Sequence, residues 1–169
     1  MPAGSVENEI EWQDDWNGQC IFAHGGKHSR GVLIAFRKGL DYKVVSNKQD
    51  YKGRFLICEL ELFDERLVII NLYAPNREKE QCEFLIDLMR VMNQLNVKKE
   101  DKIIVGGDWN IVRNLILDKK GGTSNIRKKV VGLLNDMSEE FEIEDLWRTQ
   151  NPLKKRYTWS ELSPSFNVA

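Results

Sequence analysis

Asp108 and Asn110 stand two positions apart, directly after the apolar run Ile103-Ile104-Val105 and the pair Gly106-Gly107. In a strand, residues i and i+2 face the same way. The spacing therefore points both side chains together at one end of a sheet and turns Trp109 toward the interior. A carboxylate can orient or deprotonate a water, and a carboxamide beside it can hydrogen-bond a phosphate oxygen. Together they suit phosphodiester cleavage. The two glycines leave room for another backbone or a ligand to approach. The same Asp/Asn cluster is also ordinary turn chemistry, in which the side chains satisfy backbone groups.

Two further stretches carry candidate residues at the ends of strands. In "IINLYAPN" these are Asn71, Tyr73 and Asn76. Tyr73 can donate a hydrogen bond to a phosphate, and Asn76 can cap the helix that starts next. A buried tyrosine and an ordinary N-cap are the plainer uses of the same residues. In "YTWSEL", Thr158 and Trp159 close the last strand that the pattern predicts. Lys154, Lys155 and Arg156 come just before it. Such a run is usually a solvated face. Against phosphate it adds salt-dependent affinity rather than sequence choice.

The elements that position these residues follow from hydrophobic period. Residues 1–18 are polar and acidic with no clear period. "QCIFAHGG" reads as a short strand, and "GVLIAFRKG" as a strand buried on both faces. "YKVVSN" reads as another strand. "RFLICELELF" and "RLVIINLY" form an antiparallel pair turning at "DE". Pro75 ends the second of these, since it cannot donate to a ladder. Phe84, Leu85, Leu88, Met89, Met92 and Leu95 then recur at helical spacing. After the "KIIV" strand, Ile126, Val130, Leu133, Leu134, Met137 and Phe141 mark a second amphipathic helix. "EIEDLWRTQNP" reads as a short helix ended by Pro152, and "KRYTWS" as a final strand. Hairpins plus helices between strands predict α+β or mixed α/β layers, with helices covering sheet faces.

Composition sets the bounds. The chain has 169 residues, 41% hydrophobic and 30% charged, which fits one folded domain with a real core. A net charge of −1 provides no global field for nucleic acid, so any such contact rests on local patches. Cys20, Cys58 and Cys82 are scattered and odd in number, which favours a reducing compartment, nuclear or cytoplasmic. No apolar run approaches the roughly 20 residues of a membrane span, and the first residues do not read as a secretory signal.

Taken together, "RGVLIAF", "VIINLYAPN", "IIVGGDWN" and "YTWS" resemble, in order and spacing, the endonuclease/exonuclease/phosphatase (DNase I-like) superfamily. Within it the pattern is most similar to the apurinic-type endonuclease domain of non-LTR retrotransposons, the long interspersed elements. The likeness covers nearly all of residues 20–163 and assigns 19–169 to a partial domain of that kind behind a polar segment, 1–18. It implies a two-layer β-sandwich flanked by helices and Mg²⁺-dependent cutting of phosphodiester bonds. It also implies DNA as partner and, in an intact element, a downstream reverse transcriptase domain. By the same resemblance Tyr73 bonds the scissile phosphate or its catalytic neighbours. Asp108 positions or activates the attacking water, and Asn110 contacts the phosphate. Thr158 and Trp159 lie near the DNA-facing rim, while Asn71 and Asn76 support loop geometry.

The chain departs from that pattern at both ends. The first-strand asparagine and the "QE-T/S-H"-like stretch with its metal-binding glutamate are not matched, and Glu7 and Glu9 stand in the wrong context to replace that residue. Nor are the "S-x-I-D" strand and the terminal Asp/His element, since His24 and His28 sit near the start. No metal ligand is therefore assigned, because Mg²⁺ wants near-octahedral oxygen ligands that Asp108 and Asn110 alone supply poorly. The expectation is a fragment, incomplete at both ends, weakly active or inactive. A non-catalytic nucleic-acid-binding relic and a phosphatase of the same superfamily stand beside it as alternatives. Cys20, His24 and His28 are spaced four apart, but Gly25-Gly26 breaks any helix that would align them on a metal. "GGKHS" lacks the spacing of a phosphate-binding loop.

Overall fold

The computed structural model describes residues 6–26, 31–98, 100–121, 125–155 and 157. The elements run α1 (Val6–Trp16), β1 (Gly18–Ala23), β2 (Val32–Arg37), β3 (Lys43–Gln49), β4 (Phe55–Leu62), β5 (Glu65–Tyr73), α2 (Glu78–Gln94), β6 (Lys102–Asp108), α3 (Lys128–Glu140) and α4 (Leu146–Gln150). They make two sheets, the pair β1-β2 and the four strands β3-β4-β5-β6. β4 and β5 are antiparallel, as their short connection predicts, whereas β5 and β6 are parallel with α2 as the crossover between them.

Alternation along β4 and β5 sorts the layers. Phe55, Ile57, Val68, Ile70 and Leu72 turn to one face and pack with Phe84, Leu85, Leu88 and Met92 of α2 and Val130, Leu134 and Met137 of α3. Leu56, Cys58 and Leu60 turn to the other face and meet Ala23, Val32, Ile34 and Phe36 of the β1-β2 sheet. The four-stranded sheet is thus the middle layer, between helices and a second sheet. Each large side chain fully buried here stabilises the fold by roughly 1.5–3 kcal/mol. The layers are also pinned by a polar bond, for Asn71 Nδ2 donates to the Leu33 carbonyl at 2.7 Å.

Four local expectations are corrected. Residues 6–16, which show no clear period, form α1. Its apolar residues are few, and Ile10 is exposed, so little periodicity is there to read. Two polar devices dock that helix instead: Trp16 Nε1 donates to the Phe36 carbonyl at 3.0 Å, and Glu9 pairs with His24. Asn17, in the left-handed region at φ 51°, ends it. The β4-β5 turn lies at Phe63-Asp64, one residue early, with φ of 53° and 61° at both positions, the double positive that suits a two-residue hairpin. β2 buries one face, not two: Val32, Ile34 and Phe36 are buried while Leu33 and Ala35 are half-buried. The fourth concerns Asn76. The residue flanking α2 is Arg77, with no side-chain cap bond, so the predicted asparagine cap is not formed. The proposed "KRYTWS" strand lies mostly outside the described residues.

Candidate active site

The parallel pairing of β5 with β6 sets the geometry. Leu72 lies opposite Gly107 and Tyr73 opposite Asp108, so both strands end at one edge. Leu72 and Ile70 face the helices, which turns Tyr73 and Asn71 the other way. Ile103 and Val105 also pack toward the helices, so alternation puts Asp108 on the face that carries Tyr73. Tyr73 is 40% exposed, and Asp108 is exposed beside it. Ligand crevices in parallel α/β sheets open at this same edge, beyond the carboxyl ends of the strands.

The two glycines do different work. A Cβ on Gly107 would sit 2.0 Å from the Leu72 carbonyl oxygen, and its φ is +126°, so only glycine fits where β6 closes on β5. A Cβ on Gly106 would meet nothing within 4 Å. That position leaves clear ground on the face that carries Asp108.

Beyond Asp108 the chain does not continue as a strand. Asn110 sits at φ 50°, and its backbone N–H donates to the Asp108 carboxylate at 3.1 Å. Turn chemistry and the pairing of the two polar side chains therefore coexist: an Asx-type turn, not strand alternation, brings them together. Asn110 Nδ2 donates to the Ala74 carbonyl at 2.8 Å, and the Ala74 N–H donates to the Asp108 carbonyl at 2.8 Å. The ends of β5 and β6 are thereby stitched to each other. Trp109 packs against the helix-side core, as expected.

On the other side of Tyr73, its N–H donates to the Arg54 carbonyl at 2.7 Å. The Arg54 side chain is held by Asp50 at 2.5 Å and lies over the Phe84 ring at 5.3 Å. The β3-β4 turn is thus locked to α2 at the site's edge.

One contributor escaped the sequence reading. Gln81 of α2 is fully buried; its Nε2 donates to the Asn110 carbonyl at 2.7 Å, and its Oε1 accepts from Arg127 at 2.7 Å. The available signal was a polar residue on the apolar stripe, one turn before Phe84 and Leu85.

Asn76, Lys154 and Lys155 are exposed. Arg148 donates to the Lys154 carbonyl at 2.9 Å and pairs with Asp118, which ties the basic segment to the loop that follows Asn110. Thr158, Trp159 and Arg156 lie outside the described residues, as does His28. Cys20 is buried, and burial pushes its thiol up, a poor start for a metal ligand.

Among the described residues, no group of three or more His, Cys, Asp or Glu side chains could hold a metal ion. The Asp108 carboxylate already accepts a bond from its own turn and by itself offers Mg²⁺ only part of an oxygen cage. The described donors do not fit that ion, and no chemical step is routed through it.

The fold is DNase I-like. The AP endonuclease LMAP from Leishmania major superposes with a TM-score of 0.60 at 14% identity, over 82% of this chain and 54% of that one. An endonuclease/exonuclease/phosphatase family protein from Bacteroides thetaiotaomicron superposes with a TM-score of 0.50 at 16% identity, over 64% and 47%. In sequence, the chain is similar to the Transposon TX1 uncharacterized 149 kDa protein of Xenopus laevis, 27% identical over 156 residues. The match takes in 90% of this chain and 11% of that protein, so the chain spans about a tenth of its relative's length. No protein-family profile matches the chain. Among the described residues, no helix is long and apolar enough to cross a membrane.

Proposed function

We propose that this chain is the endonuclease-like part of a non-LTR retrotransposon protein, a phosphodiester hydrolase that nicks DNA. The observation that carries the reading is the register of Tyr73 opposite Asp108 at the shared edge of β5 and β6. A transposon protein as sequence relative and an AP endonuclease as fold relative support it. In this reading Asp108 orients or deprotonates the attacking water, Tyr73 donates to the phosphate, and Asn110 contacts it. Lys154, Lys155 and Arg156 meet the DNA backbone, and Thr158 and Trp159 are assigned to substrate binding by the sequence resemblance alone. Mg²⁺ belongs to the intact domain, and the described donors of this chain do not fit it. A reverse transcriptase domain is the partner in the intact element.

Taken alone, the chain is weakly active. Catalytic groups act as a unit, and a lone carboxylate holds Mg²⁺ poorly. That same lone carboxylate, together with the exposed Lys154 and Lys155, favours one second reading, a non-catalytic nucleic-acid-binding scaffold. Three substrates offered with Mg²⁺ at high enzyme concentration decide among these: supercoiled plasmid, an abasic duplex and a phosphoinositide. The proposal expects slow nicking of DNA and no phosphate release from the lipid. DNA binding without nicking selects the scaffold, and phosphate release overturns both.

A further inference from the structure

We infer that Gln81 and Arg127 are positioning residues of the Asp108–Asn110 turn, an inference that rests on the function proposed above. Gln81 lies on the buried stripe of α2 with Phe84, Leu85 and Leu88, where an apolar side chain would be the simple choice. Its amide is instead spent at both ends, donating to the Asn110 carbonyl and accepting from Arg127, each at 2.7 Å. Arg127 is the residue before α3, so this chain of bonds links the starts of two helices to one turn.

The turn needs holding. Asn110 is a non-glycine residue in the left-handed region, which L side chains enter reluctantly. Three bonds keep it there: its N–H to the Asp108 carboxylate, its Nδ2 to Ala74, and its carbonyl from Gln81. The first of these also fixes the carboxylate assigned to the water. The guanidinium draws electron density from the Gln81 carbonyl and makes its N–H the better donor, so the charge on Arg127 strengthens the bond to Asn110. Gln81 itself is sealed from solvent and touches no substrate.

Two variants separate the links. Gln81→Glu can still accept from Arg127 but presents a carboxylate to the Asn110 carbonyl, while Arg127→Met leaves the donor and removes its polarisation. The readout is amide hydrogen exchange on the whole chain, comparing Asn110 with Ile57 and Ile70 of the sheet core. The Asn110 amide is expected to exchange about tenfold faster in Gln81→Glu, the scale of one lost hydrogen bond, and less so in Arg127→Met. The core amides stay as in wild type. In a nicking assay kcat falls with KM unchanged, and Gln81→Asn does not rescue it because its amide is one methylene short. Unchanged exchange at Asn110, or equal acceleration throughout the core, overturns the inference. Faster exchange at Asn110 in a chain that never nicks DNA leaves the positioning role standing and removes the proposed function instead.

Discussion

At the scale of single residues, the site depends on which positions tolerate a side chain. Gly107 does not: a Cβ would lie 2.0 Å from a backbone oxygen, on a residue at φ +126°. Gly106 does, since its Cβ would meet open space. Gly107→Ala is therefore expected to cost about 3 kcal/mol or to prevent folding, and Gly106→Ala to stay within about 0.5 kcal/mol of wild type. Urea midpoints of the two variants check this, and equal midpoints would remove the account of the double glycine. The sequence carries this contrast only in part. It shows two glycines before a polar pair, but not which one closes against Leu72. Likewise it shows that Asp108 and Asn110 belong together but assigns their meeting to strand alternation, because a left-handed asparagine leaves no mark in hydrophobic period.

At the scale of elements, legibility follows the apolar pattern. α2 and the β4-β5 hairpin bury strong stripes, and their apolar periods run nearly to their ends. α1 docks through Trp16 and the Glu9–His24 pair, contacts that no period announces. Gln81 was missed for the opposite reason, since a buried polar residue interrupts the pattern being sought. The packing of the two sheets also has a pH signature. Cys58 of β4 is buried against the β1-β2 sheet, and burial pushes its thiol up from 9.0 to about 11. Between those values the folded chain keeps a proton that the unfolded chain releases. Stability therefore falls as pH rises through that window and is complete below it. Urea melts at pH 8 and pH 10 test this: wild type is expected to lose more stability between them than Cys58→Ala. Identical losses would mean that the thiol is not sequestered between the sheets.

At the scale of the whole molecule, a sheet sandwiched between helices and a second sheet brings the ends of two parallel strands to one edge, and the chemistry rests on that edge. The fold class was legible because four short motifs fall in one order and at one spacing along the chain. The structure adds what order cannot carry: register, shared face and the bonds that stitch Ala74, Asp108 and Asn110 together. The roles given to those side chains are tested most directly by single-turnover nicking of supercoiled plasmid with Mg²⁺, comparing wild type with Asp108→Ala and Tyr73→Phe. The account predicts slow nicking by wild type, none above background for Asp108→Ala, and at least about tenfold slower cleavage for Tyr73→Phe. Nicking that persists unchanged in Asp108→Ala would contradict it.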